Sequence, residues 1–536
     1  MMVLALACNL MAVNVWDGTS EPWINGSGTM EDPYLIETAA NLAYLAEKVN
    51  EGYEAQGMAV FKNVYFLMTD DLDLNNINWT PIGNVNMNME GFYFAGIFDG
   101  WYHNIDHLRI QSNADVCGLF AGLGGEQGPP PSDLTGQIRH LSVTNGNITS
   151  TGTGVGGIVG GMAGEALVFQ CSFSGTISVN NGGSFCGAGG IVAAMAEWSR
   201  VVECSFHGSI NVTNNAFTGA AGAGGIVGIA MDNASVNECY NTGSVTGSAI
   251  FLSVAAGIVG ATLQENQVSI YSCYNVGTLS GNTKGGIFGM VSPINPMKGE
   301  ASINVSNCFY LNTCGGTTTY GTSMTSDEMK TEQFKNQIDM SSHSFVMDNG
   351  ANDGYPIHSL ASFGMLQATD ITDHSATLSA QIHQGNDTIA KAYFLYKEWD
   401  TEEWIVVDVP TDGYVEVELD SLMPETTYEF SMEVMFSDSI FMSGAPRAFQ
   451  TEEYDAVSDL STSVIIYPNP ASDFIHIEGV EVKEVLIYNA LGQLVKAVNG
   501  VDEVNVSDLP SGTYLLRITS ANPETEYVLP LSKHSH

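Results

Sequence analysis

Three groups of residues in this chain of 536 have types and spacings suited to chemistry. The stretch Gly222–Gly228, GAGGIVG, is spaced like a phosphate-cradling glycine loop. Such glycines strip away side chains so that backbone N–H groups can reach a pyrophosphate. His103 and His107, in FDGWYHNIDH, fall on one face of a strand and could ligate a metal, although their segment matches a repeated element and so favours structural roles. Asp70, Asp71 and Asp73, in TDDLDLNN, are hard oxygen donors of the kind calcium takes. Alternation puts Asp71 and Asp73 on one face, making them the calcium candidates, while a solvated turn accounts for all three equally well. HExxH, GxSxG and GxxxxGK(S/T) motifs do not occur. No basic residue pairs with these carboxylates as in a β-helix polysaccharide lyase, so no catalytic residue is assigned.

Composition narrows the partners. The chain carries 59 Asp+Glu against 16 Lys+Arg, a formal charge of −43. Phosphodiester backbones and anionic membrane surfaces repel such a chain, which argues against nucleic acid and anionic polysaccharide. Hydrophobic residues make up 44%, enough for packed cores, and 58 glycines against 17 prolines suit a turn-rich β protein. No internal run of 18 apolar residues predicts a membrane span. The opening MMVLALACNLMAV reads as the remnant of a secretory signal over residues 1–12, with cleavage after Ala12; a buried first strand is the alternative. Ala7-Cys8 is a poor lipidation site, because Ala5 stands where that motif takes Leu.

Self-similarity answers the glycine question. Relatives of GAGGIVG are centred on Gly96, Gly118, Gly157, Gly190, Gly257 and Gly286; from Gly157 onward, with Gly225 included, the steps are 33, 35, 32 and 29 residues. A dinucleotide fingerprint occurs once and opens a helix, whereas these glycines precede β-branched pairs, polar turns and another strand. The unit is therefore a short strand-and-corner piece that must stack on its neighbours to bury its apolar side. Glycine suits corners with positive φ and places where backbones of adjacent coils approach closely. Nucleotide binding is accordingly not expected.

The second repeated element carries Cys171, Cys204, Cys239, Cys273 and Cys308, in VFQCSFSGTIS, VVECSFHGSIN, VNECYNTGSVT, IYSCYNVGTLS and VSNCFYLNT. One cysteine per repeat before an aromatic or Ser-aromatic pair predicts an interior ladder of inert thiols, with coils about 4.8 Å apart. With nine cysteines in all, a bridge between Cys308 and Cys314 at the end of the array is the expected exception.

These residues resemble the GLUG-motif repeats of bacterial surface proteins. The upstream WDGTSEPWINGSGTMEDPYLIETAANLAYLAEKVN, DDLDL, WTPIG and FAGIFDGWYHNIDHLRI resemble the N-terminal part of such proteins in Bacteroidetes. The resemblance implies a right-handed parallel β-helix-like solenoid over residues 13–316 of an adhesin-like surface protein. The stretch from Thr38 to Asn50 then forms one helix, with Leu42, Leu45, Ala46 and Val49 on one face, capping the open end of the solenoid. Residues 317–361 form a closing segment, in which Thr325 and Glu328 make a capping box for a helix through Met329 and Phe334. NDGYPIH within it resembles the sequence that closes such arrays.

Residues 362–452 alternate with period two, as in a β-sandwich. LMPETTYEF resembles the signature of fibronectin type III domains, which implies that Tyr428 ties its hydroxyl to the backbone near Leu422. No Arg-Gly-Asp is present, and a spacer role is the reading preferred. Over residues 460–536, VIIYPNPASDFIHIEG, VKEVLIYNALGQLV and LPSGTYLLRI resemble the type A C-terminal sorting domain of the type IX (Por) secretion system. Its marker residues here are Pro468, Asn469, Pro470, Asn489, Gly492, Gly512 and Tyr514.

The sequence thus predicts an all-β chain, a solenoid with a helical cap followed by two β-sandwiches. The resemblances imply passage through the periplasm to the cell surface or medium, with the type IX machinery and its sortase as partners. The function expected is an adhesin-like scaffold binding a glycan or a surface protein, with an enzyme acting on neutral glycans as the alternative.

Overall fold

The computed structural model describes residues 14–124, 136–183, 185–262, 267–291, 302–339, 343–348, 350–437, 440–453, 464–521 and 526–534. The expected leader over residues 1–12 and its Ala12 cleavage site lie outside them. The chain divides into two compact units, one of residues up to Ser362 together with His383–Ile389, the other of Phe363–Ile382 and Ala390 onward.

Among the described residues of the first unit, four parallel sheets of 13, 9, 8 and 6 strands run along a β-solenoid of about eight coils. Coils stack in register: in the longest sheet Phe173, Ile177 and Val179 face Phe206, Ile210 and Val212. GAGGIVG spans one corner, where the strand Ala220–Gly224 ends and Val227–Ala230 begins. The ladder glycines keep ordinary φ values, so close approach is what selects them. A Cβ on Gly157, Gly190, Gly225 or Gly257 would lie 2.1–2.2 Å from the carbonyl oxygen of the next ladder glycine. No side chain fits there.

Inside, the backbone N–H groups of Cys171, Cys204 and Cys239 donate to the sulfur one coil on at 3.3–3.4 Å. Each thiol donates to the carbonyl two residues before it, from Cys171 to Cys308. Burial pushes the thiols of Cys171, Cys239 and Cys308 well above their ordinary range. All eight described cysteines are free and buried, which corrects the expected Cys308–Cys314 bridge. Cys308 belongs to the ladder, and Cys314 lies beyond it in the turn that closes the last coil.

Helix α1 (Ala39–Glu51) is capped by Thr38 Oγ1, which accepts the Asn41 N–H at 3.1 Å, and ends at Gly52 with φ +71°. It buries Leu42, Leu45, Ala46 and Val49 in the solenoid core. The leucine and valine side chains among them contribute roughly 1.5–3 kcal/mol each. At the far end the chain departs from expectation. The final coil is closed by a return strand, Thr322–Met324, paired with Phe309–Leu311, and by Tyr320 packed on Phe288. The predicted single helix is two: α2 (Ser326–Met329), with the Thr325/Glu328 capping box, and α3 (Glu332–Ile338), capped anew by Thr331. Both lie against the flank of the solenoid, where Met329, Phe334, Ile338, Phe345, Tyr355 and Ile357 bury the outward rings of Tyr240, Tyr274 and Phe309.

In the second unit, one sandwich pairs a three-stranded sheet with a five-stranded one. The Tyr428 hydroxyl accepts the Met423 N–H at 2.9 Å, the corner that the fibronectin type III resemblance implies. The last sandwich packs sheets of three and four strands over a core that includes Ile475, Val485, Ile487, Leu516 and Ile518.

Candidate functional site

The residue before each ladder cysteine adopts a left-handed conformation. Gln170, Glu203, Glu238, Ser272 and Asn307 have φ of 49–53°, and Tyr102 and His140 continue the column at 63° and 52°. Left-handed φ is rare for residues with a Cβ, and here it aims a row of polar side chains outward beside Ser142, Ser172 and Ser205. Residues 343–348, 350–362 and His383–Ile389 cover this row. His358 Nε2 lies 2.8 Å from the Glu238 carbonyl oxygen. Tyr102 stacks on His383 with centroids 3.9 Å apart, donates its hydroxyl proton to Gln170 Oε1 at 2.6 Å and accepts from Ser362 Oγ at 2.8 Å. His343 pairs with Asp387.

A cavity of about 150 Å³ remains in this seam, walled by Tyr102, Gln170, Glu203, His207, Tyr240 and His358 among others. Burial pushes Glu203 up to about 7, against the hydrogen bond from Gln170 and with help from the Glu238 charge. Burial also depresses His207 to about 4 and His358 to about 3, which keeps both neutral near pH 7. Beside the seam, Asp99 takes hydrogen bonds from Arg139 Nε at 2.8 Å and the Trp101 N–H at 2.9 Å, with His140 Nδ1 2.9 Å away. Although burial opposes it, His140 and the Arg139 charge hold Asp99 below the usual carboxylate range.

The residues singled out for metal binding separate into two pairs. Asp71 Oδ1 accepts the Asn104 N–H at 2.8 Å and lies 3.2 Å from His103 Nδ1. Asp73 Oδ1 lies 3.0 Å from His107 Nδ1, and Asp106 Oδ2 approaches the same nitrogen at 3.3 Å. Asp73, Asp106 and His107 therefore form the one group of three potential ligands found among the described residues. Coil stacking sets Asp71 and Asp73 against different histidines of the next coil, and of the two only Asp73 joins a group of three potential ligands. Asp106 escaped notice because it becomes a neighbour of Asp73 only through the register of Leu72–Asp73 on Ile105–Asp106.

An open cleft of about 640 Å³ lies in the first coils. Its walls include Asn50, Pro81, Asn84, Asn86, Glu90 and Asp115. Glu90 Oε2 accepts from Asn86 Nδ2 at 2.7 Å, and Asp115 Oδ2 accepts the Met87 N–H at 3.1 Å. Asn50 Nδ2 donates to the Pro81 carbonyl at 3.0 Å, which fixes the amide orientation and leaves its buried Oδ1 without a partner.

In the last sandwich the marker residues shape turns and edges. Asn489 Oδ1 accepts the N–H groups of Leu491 and Gln493, both at 3.0 Å, and Gly492 has φ +73°. Asn469 clasps the edge strand Glu526–Lys533, donating to the Pro530 carbonyl and accepting the Ser532 N–H, each at 2.8 Å. The Tyr514 hydroxyl donates to the Pro510 carbonyl at 2.8 Å.

Fold and geometry define a β-solenoid protein that ends in two sandwich domains. Residues 465–528 match the family model of the secretion system C-terminal sorting domain, so the chain carries an export tail for a secreted or surface destination. Over 153 residues, 28% of the chain, it is 33% identical to a protein of Evansella cellulosilytica described as a "Gly-rich membrane protein". Over 176 residues, 31% of the chain, it is 27% identical to halomucin of Haloquadratum walsbyi. The matches span 15% and 2% of those relatives' lengths. Among solved structures, the sensor domain of the anti-sigma factor RsgI4 of Pseudobacteroides cellulosolvens is 20% identical, with a TM-score of 0.15 over 17% of this chain and 95% of its own. The FN1–FN3 domains of chicken CNTN1 are 17% identical, with a TM-score of 0.16 over 32% of this chain and 66% of theirs. Among the described residues no helix is long and apolar enough to cross a membrane.

Sequence reading missed the outward polar column and the Asn50 cleft. A signal for the column existed: the position before each repeat cysteine reads Gln, Glu, Glu, Ser and Asn, always polar.

Proposed function

We propose that the protein is an adhesin-like binding protein, exported by the type IX secretion machinery and displayed on the cell surface or released, with the solenoid holding the ligand-binding surface. The observation that carries this reading is the sorting-domain match over residues 465–528. The open cleft at Asn50 supports binding rather than catalysis. Its two carboxylates are engaged in hydrogen bonds, and none of the residues walling it is a histidine, cysteine or lysine. A formal charge of −43 favours a neutral glycan or a cationic protein surface over an anionic one.

The second reading, an enzyme acting on neutral glycans, draws its support from Glu203, a buried carboxyl raised to about 7. Its cavity of about 150 Å³ holds roughly five waters at about 30 Å³ each. His358, Leu360 and Asn386 wall it from the outside, which leaves no room for a polysaccharide chain.

Two measurements test the proposal. Removing residues 465–536 is expected to trap the chain in the periplasm of a bacterium with a type IX system; release of the truncated chain refutes the export reading. The mature chain on an array of neutral and acidic oligosaccharides is expected to bind neutral members. Hydrolysis of any of those glycans would favour the enzyme.

A further inference from the structure

Three marker residues of the sorting domain, Asn489, Gly492 and Tyr514, line one groove of about 530 Å³ on the outer face of the four-stranded sheet. Asn489 and Gly492 form one wall, Thr513 and Tyr514 another, and Asn469 holds the carbonyl of Pro530 on the opposite side. Every lining residue except Pro530 falls within the matched segment 465–528.

What these residues display is apolar. Asn489 and Gly492 build a tight turn whose tip is Leu491, 83% exposed. A hairpin tip that served folding alone would carry a polar or glycine residue. Leu494, Leu515 and Val528 stand outward on the same sheet at 53%, 47% and 39% exposure. Arg517, the only cation of the lining, is matched by the Glu526 carboxylate, so the groove offers shape and apolar area rather than charge. An exposed apolar patch of this kind marks an interaction surface.

We infer that the groove and the Leu491 tip are the surface by which the type IX machinery holds this chain. The partner is a receptor of that machinery that lays aliphatic or aromatic side chains on Leu491, Leu494 and Leu515 and fills the groove between Ala490 and Pro530. This rests on the export reading above, which names the partner; the groove specifies where it docks.

The test uses the full chain in a bacterium with a type IX system, comparing Leu491→Asp, Leu515→Asp, Phe474→Asp on the other sheet, and deletion of residues 465–536. A charge in an apolar contact is expected to lower the exported fraction on the order of tenfold for the two leucine variants, with periplasmic accumulation. Phe474→Asp is expected to leave export unchanged. Thermal melts of the purified variants check folding, and should Leu515→Asp disturb the sheet, Leu491→Asp at the tip decides alone. Normal export of both leucine variants while the deletion is retained would overturn this surface and leave the export reading standing. Export of the deletion variant would overturn both. Light scattering is expected to show a monomer; a dimer dissolved by Leu491→Asp would make a second copy of this chain the occupant and overturn the inference.

Discussion

Replacing Glu203 by Gln probes the covered polar seam. A carboxyl raised from 4.5 to about 7 by burial holds its proton more tightly in the folded chain than in the unfolded one. Its contribution to stability is therefore complete below about pH 4.5 and is lost as pH rises through about 7. The gap between 4.5 and about 7 corresponds to about 3 kcal/mol. His207 and His358, depressed to about 4 and about 3, act in the opposite sense, with stability present above pH 6.5 and lost as pH falls. Both remain in the variant, so the difference between variant and wild type isolates Glu203. Glutamine keeps the shape and can accept from Gln170 Nε2, which donates to Glu203 at 2.8 Å. The assay is urea denaturation at about pH 4.5 and about pH 8.5, followed by hydrogen exchange in peptides covering Val201–His207. Glu203→Gln is expected to match wild type at the lower pH and to exceed it by about 2–3 kcal/mol at the higher. Parallel stability profiles across that range would refute the assignment of a buried, neutral carboxyl.

Four further outcomes are expected. Gly225→Val places side-chain atoms where even a Cβ meets the Gly257 carbonyl at 2.2 Å; thermal unfolding should show a loss of about 3 kcal/mol, with no nucleotide binding detectable by titration in either protein. Thiol titration in denaturant without reductant should find the eight described cysteines free, because the ladder sulfurs are spaced by coil stacking and hydrogen-bonded to backbone. Tyr428→Phe removes the hydroxyl that accepts the Met423 N–H and should lower the stability of that sandwich by about 1 kcal/mol in chemical denaturation. Any rise in melting temperature with calcium should disappear in Asp106→Asn and persist in Asp71→Asn, since Asp106 and not Asp71 joins Asp73 and His107.

Much of this molecule is written locally. The 29–35-residue recurrence of glycine and cysteine specifies stacked coils, because a unit that cannot bury its own apolar side has to bury it on a copy of itself. The Leu42, Leu45 and Val49 stripe marks an amphipathic helix after Thr38, and the resemblance to the repeat family implies its place as a cap. The tail is legible through its resemblance to a sorting domain, some of whose marker residues act locally, as Asn489 does on Leu491 and Gln493. What stayed illegible depends on register between coils and on where the chain travels after leaving the solenoid. Asp73 meets Asp106 and His107 only because one coil sits on the next in a particular alignment. Glu203 becomes a buried carboxyl only because residues 350–362 fold back along the flank instead of across the end. Periodicity along a chain reports which side of a strand faces the core. It carries no information on which distant segment covers the other side, and in this protein that lateral covering decides which polar groups are buried, how they titrate, and which cleft is left open.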